Sequence, residues 1–168
     1  KRIILCIFCF LVIFIILFEN YFTVSENNVV SEAERRSIFI SYIEIGKYFE
    51  GKDKNGAYTN VLNIVKNIKN LGFNEIILQV RSFCDAIYKS DIFPWSRYVS
   101  GTEGVDPGFD LLQMFIDECK RNDLFLIAWV NPYRIRNYND ISDISVNSPA
   151  YKYLNSDVVY KNNGIFFN

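Results

Sequence analysis

The chain has 168 residues, a formal net charge of -1 and no histidine. Half of its residues are hydrophobic, enough for one domain's core, and the balanced charge gives no electrostatic case for nucleic-acid binding. The absence of histidine excludes Ser-His-Asp and Cys-His nucleophilic chemistry and His-ligated metal sites, so acid–base work falls to carboxylates, Tyr or Lys.

Lys1 and Arg2 precede an uncharged apolar run from Ile3 to Phe18. Its length falls between a signal h-region of about 7–15 residues and a spanning helix of about 17–25. Residues 1–18 are therefore expected to be a signal peptide, with small residues at Thr23-Val24-Ser25 for cleavage, or an uncleaved membrane anchor. Either places the rest of the chain outside the cytoplasmic membrane. Residues 19–36 are polar and read as a tether.

The stretch SIFISYIEI, Ser37 to Ile45, is β-branched and aromatic and predicts a strand. GKDKNGA follows as a turn-rich connection. Apolar Tyr58, Val61, Leu62, Val65, Ile68 and Leu71 recur at helical spacing, with Gly72 as the stop. NEIILQV, Asn74 to Val80, is nearly continuous in apolar residues, as a strand buried on both faces should be. A long loop runs on to Asp110. It is rich in Phe83, Ile87, Tyr88, Ile92, Phe93, Trp95 and Tyr98, so it has much to bury and predicts a folded lid. Leu111, Leu112, Phe115, Ile116 and Cys119 mark a second helix, with Asp110 at its start and Lys120 and Arg121 at its end, in agreement with the helix dipole. LFLIAWV, Leu124 to Val130, predicts a third buried strand. Further on, DVVYKNNGIFF suggests a hairpin turning at Asn163-Gly164.

Strand, helix, strand, helix, strand predicts α/β architecture with parallel strands. Function in such folds gathers at the C-terminal ends of the strands. Those ends carry Glu44, then Gln79 and Arg81, then Trp129 and Asn131, followed by Tyr133 and Arg134. Residues two apart on a strand point to one face. Aromatic rings suit the apolar faces of sugars, and Asp, Asn and Arg suit hydroxyls and charged substituents. Cys84 and Cys119 are expected by default to be small buried thiols, with a disulfide between them possible after export. No metal-site spacing is present, although carboxylate-bound calcium stays open, and no cofactor motif follows any strand.

QVR (Gln79 to Arg81), DAIYKSDIFPWS (Asp85 to Ser96), DPGFD (Asp106 to Asp110) and AWVNPYR (Ala128 to Arg134) together closely resemble the glycosyl hydrolase-like family ten of bacterial, mostly exported proteins. The resemblance covers about Phe39 to Asn168. It implies a (β/α)8 barrel, of which residues 37–168 form the N-terminal portion of about three βα units. It also implies action on glycosidic bonds, in peptidoglycan or another aminosugar polymer of the cell envelope. Glycoside hydrolysis uses two carboxylates flanking the bond. The family's acidic segment on the fourth strand has no counterpart here, so the expectation is a chain lacking part of the catalytic site. Glu44 is the catalytic candidate within it, with Asp85 and Asp106 of the long loop as secondary ones. Gln79, Arg81, Asp85, Tyr88, Trp95, Trp129, Asn131, Tyr133 and Arg134 are the expected substrate-binding residues. The alternatives are a non-catalytic glycan-binding envelope protein and a truncated, inactive remnant.

Overall fold

The computed structural model describes residues 34–138 and 140–167. The apolar segment at 1–18 and most of the tether lie outside the described residues. Among the described residues no helix is long and apolar enough to cross a membrane.

Three strands, β1 (Ser37–Ile40), β2 (Glu75–Arg81) and β3 (Phe125–Val130), form a parallel sheet in the order β1-β2-β3. Two helices make the crossovers, α2 (Lys54–Asn70) between β1 and β2 and α4 (Leu111–Arg121) between β2 and β3. The predicted mixed α/β order with parallel pairing is present. β2 is central, and its Ile76, Leu78 and Val80 are buried. They share one core with Ala57, Val61, Val65 and Ile68 of α2 and with Leu111, Phe115 and Cys119 of α4. The spacing of three and four along both helices puts those side chains on one face.

Three expectations need correction. The first strand ends at Ile40, not Ile45. Ser41 caps a helix α1 (Tyr42–Phe49): its hydroxyl accepts from the Ile43 amide at 3.3 Å, and Glu44 returns a bond to the Ser41 amide at 2.9 Å. This reciprocal capping box overrides the strand propensity of the β-branched residues around it. Phe49 at the far end of α1 meets Phe115 edge-on at 5.9 Å, so tertiary burial reinforces the cap. Second, α2 starts at Lys54 inside the supposed turn, because Asp53 caps it by accepting from Gly56 N–H at 2.8 Å. Third, among the described residues β3 is not buried on both faces, and Phe125, Ile127 and Val130 are exposed.

Gly72 ends α2 as predicted, at φ 85°, with its amide reaching the Lys69 carbonyl. The left-handed backbone there favours glycine. The C-terminal hairpin also forms: β5 (Val159–Lys161) pairs antiparallel with β6 (Ile165–Phe167). On its other edge β6 pairs with β4 (Arg134–Arg136), making a second small sheet. Gly164 lies so close to that neighbour that a Cβ on it would stand 2.9 Å from the Arg136 carbonyl oxygen.

The long loop is folded. It holds a short helix α3 (Arg97–Ser100) and a bridge between Ala86 and Trp95. Cys84 from this loop joins Ile135, Ile144, Ala150, Leu154 and Ile165 in a second apolar cluster under the small sheet. Cys119 belongs to the first cluster, and both cysteines are buried free thiols. The buried thiols expected by default are present.

Candidate functional site

The C-terminal ends of β2 and β3 bring Gln79 beside Trp129 in register. Gln79 is 1% exposed; its Oε1 accepts from the Tyr42 amide at 3.0 Å while its Nε2 has no partner among the described residues. A buried amide nitrogen without an acceptor is costly, and it marks a place where an acceptor belongs. Trp129 donates from Nε1 to Asn131 Oδ1 at 3.0 Å, and Asn131 Nδ2 donates to the Ser82 carbonyl at 3.1 Å. The alternation of strand side chains places Trp129 on the same face as Phe39, which its ring meets edge-on at 5.9 Å. The register shifts between Gln79 and Arg81, so that Arg81 stands opposite Val130. Such a bulge re-aims the side chain that follows.

Beside this mouth, Tyr42, Phe83 and Tyr98 form an aromatic group with ring centroids 5.0–5.7 Å apart. Burial pushes the Tyr98 hydroxyl up to about 12, so it stays protonated. The Arg134 guanidinium lies over Phe83 at 5.1 Å and over Tyr42 at 5.7 Å. Arg81 lies over Phe93 at 4.2 Å. Asn137 donates to the Tyr42 hydroxyl at 3.4 Å, and its own Oδ1 is buried without a partner among the described residues.

A charged network ties the long loop to the segment after β3. Arg136 Nη2 is 2.6 Å from Glu103 Oε2 and 3.3 Å from Asp143 Oδ1. Asp143 also pairs with Arg97 and accepts from the Tyr138 hydroxyl at 3.0 Å. Asp85 sits within this region, 1% exposed, with Oδ1 accepting from the Phe83 amide at 3.1 Å. Burial pushes its carboxyl above the usual range, against the opposing pull of Ser96, the Phe83 amide and Arg136.

Of the expected site residues, the structure brings Gln79, Trp129 and Asn131 together at the sheet mouth, with Arg134 joined to them through Tyr42 and Arg81 through the backbone bond from Asn131 N–H to its carbonyl. Others stand elsewhere. Glu44 is at the start of α1 rather than at a strand end, bound by Ser41, whose hydroxyl holds its carboxyl below the ordinary value. A glycosidic acid needs the opposite shift. Asp85 is enclosed, and Tyr88 packs against the main apolar core. Tyr133 is exposed. Trp95 lines a separate hollow of about 380 Å³ with Ser90, Phe93, Pro94, Gly104 and Asn147. Among the described residues no cluster of three or more Cys, Asp or Glu could hold a metal ion.

Sequence reasoning missed Tyr42 and Asn137. The signal for Tyr42 was present: Ser41-x-x-Glu44 is a capping box, which turns the chain after Ile40 and carries Tyr42 across the mouth. Asn137 carried no such signal.

Comparison with known proteins places these features in a family. The model of the family described as Glycosyl hydrolase-like 10 matches residues 34–164. Glycosyl hydrolase YngK of Bacillus subtilis (strain 168) is 34% identical over 141 residues, which is 80% of this chain and 27% of that protein. Glycosyl hydrolase DigH of Escherichia coli (strain K12) is 35% identical over 75 residues, 45% of this chain and 17% of that protein. The chain thus spans at most about a quarter of the length of these relatives. With the family model running through β1, β2, β3 and both small-sheet connections, the chain belongs to the glycosyl hydrolase-like 10 family.

Proposed function

We propose that this chain is the first part of a (β/α)8 barrel glycoside hydrolase of the cell envelope, and that the residues described here build one wall of its glycan cleft. The observation that carries this reading is the joint mouth at the ends of β2 and β3. There Gln79 offers an unpartnered amide, Trp129 and Asn131 are locked to each other, and Arg134 lies over two aromatic rings. Hydrogen-bonding groups set among aromatic faces are what a sugar ring requires. The substrate we favour is peptidoglycan or a related aminosugar polymer, reached by export or by anchoring through residues 3–18.

Hydrolysis needs two carboxylates flanking the bond. Glu44 is engaged in a helix cap and Asp85 is enclosed. The catalytic pair is therefore assigned to the longer protein beyond these strands, and the present residues are assigned to binding. A non-catalytic glycan-binding role is the second reading, favoured by that same commitment of Glu44 and Asp85. The test is release of reducing ends from purified peptidoglycan glycan strands by the full-length protein, with binding followed in parallel. Binding with release supports the enzyme, binding without release supports the second reading, and neither overturns both.

A further inference from the structure

We infer that Tyr160 and Phe166, on the outer face of the small sheet, form a stacking platform for a further sugar unit of the glycan held at the mouth, and so set the length of chain that binds best. This rests on the glycan-binding reading above and deepens it by extending that site onto a second surface. The cross-strand register carries the inference. Across β4, β6 and β5, Arg134 stands opposite Phe166 and Phe166 stands opposite Tyr160. Residues directly opposite in an antiparallel pair share a face, so these three form one row. Neighbouring strands lie about 4.8 Å apart, which gives the row a span of about 10 Å. The alternate residues take the other face, where Ile135, Ile165, Val159 and Phe167 pack into the second apolar cluster.

The row begins at the mouth, because the Arg134 guanidinium lies over Tyr42 and Phe83. It ends at Tyr160, which is 56% exposed among the described residues. An antiparallel sheet with one face on a core commonly turns polar side chains outward. Here Phe166 and Tyr160 take outward positions instead. A lone exposed ring is ordinary on a protein surface. Two rings in register beside an aromatic-lined mouth are a surface that suits the apolar face of a sugar. Both rings are also held in place. Asn162 Nδ2 donates to the Tyr160 hydroxyl at 3.2 Å. Gly164 backs Phe166 so closely that a Cβ on it would stand 3.0 Å from the ring. Side chains fixed before the ligand arrives lose little freedom on binding it.

A cross-strand aromatic pair also steadies the sheet, so the test separates binding from stability. The probes are peptide-free peptidoglycan glycan strands, fractionated to the disaccharide and the hexasaccharide. Each is titrated calorimetrically into the full-length protein, wild type, Tyr160→Ala, Tyr160→Phe and Phe166→Leu, with unfolding midpoints taken alongside. The wild type should bind the hexasaccharide about tenfold tighter than the disaccharide, on the scale of one aromatic contact. Tyr160→Ala and Phe166→Leu should lose that gain, Tyr160→Phe should keep most of it, and the disaccharide should bind all four proteins alike. Weaker binding of both probes together with a lowered midpoint would show that the row only holds the sheet, and would overturn the inference. Unchanged hexasaccharide affinity in Tyr160→Ala and Phe166→Leu would also overturn it, while leaving the glycan reading intact. No binding of either probe by the wild type would overturn the glycan reading itself.

Discussion

Glu103 Oε2 and Arg136 Nη2 lie 2.6 Å apart with both side chains almost wholly buried, and they join the long loop to the strand that carries Arg134. The sequence separates them by a helix and a strand, so the pair closes a large loop. Breaking a buried pair by removing one partner leaves a charge without compensation, at a cost of about 3–5 kcal/mol. Asp143 remains 3.3 Å from Arg136, which puts Glu103→Ala at the lower end, about 3 kcal/mol. The double change Glu103→Leu with Arg136→Met should recover much of that loss, because no buried charge is left. Urea unfolding of Glu103→Leu, Arg136→Met and the double variant checks this. Additive losses would show that the two residues act independently.

Asp85 gives a pH signature. Its carboxyl is raised above the ordinary value by burial. A carboxyl raised on folding contributes stability that is fully present below its unfolded value and is lost as pH rises through its folded value. Asp85→Asn removes that slope. The variant should therefore gain stability relative to the wild type as pH rises from about 4 towards 8. Groups acting on Asp85, Arg136 and Ser96 among them, are unchanged in the variant, so they largely cancel in the difference. Thermal midpoints of both proteins across that range test this, and a constant difference would show that Asp85 titrates as an ordinary exposed carboxyl does.

Glu44 separates the capping role from the catalytic one. Ser41→Ala removes the acceptor for Ile43 N–H and the donor to Glu44, and should cost about 1 kcal/mol. Glu44→Gln keeps an acceptor at the same position and should cost less. Because Ser41 holds the Glu44 carboxyl low, the capping contribution is present at neutral pH and fades in acid, as pH falls through the folded value. In the full-length protein, Glu44→Gln should leave glycan hydrolysis within about twofold. A loss of about a hundredfold or more, the scale of removing a general acid or base, would restore Glu44 to the catalytic machinery.

The parts of the fold that could be read from the sequence were those in which one local signal acted alone. The apolar run of β2, the stop at Gly72, the spacing of Leu111, Phe115 and Cys119, and the turn at Asn163-Gly164 all stand where their patterns put them. The stretch after Ile40 carried two signals, strand propensity and a capping box. The box prevailed because Ile45 and Phe49 on α1 are then buried against the core. In the site, the two-residue alternation correctly put Trp129 and Asn131 within reach of each other. Asp85 and Tyr88, expected to bind substrate, are buried and half-buried, because nothing local in a loop tells which way it folds. Ala86 pairing with Trp95 and the packing of Cys84 against Ala150 and Leu154 turn that segment inward. These contacts join distant parts of the chain and leave no local pattern.

Trp129 and Trp95 should respond differently to truncation. Trp129 lies on the face of the sheet that carries Gln79, against Phe39, and its indole N–H fixes Asn131. Trp129→Ala removes the ring, frees Asn131, and should weaken glycan binding by about tenfold, in the range of a lost aromatic contact. Trp129→Phe keeps a ring but loses the bond to Asn131, and should fall between. Trp95 lines a different hollow with Pro94 and Asn147, and none of Gln79, Arg81, Trp129, Asn131 and Arg134 lines it. Trp95→Ala should lower stability more than affinity. Calorimetric titration of glycan strands into the three variants, with unfolding midpoints taken alongside, separates the two rings. If Trp95→Ala cost as much affinity as Trp129→Ala, the cleft would have to extend along the long loop into that hollow, and the binding wall would be wider than the ends of β2 and β3.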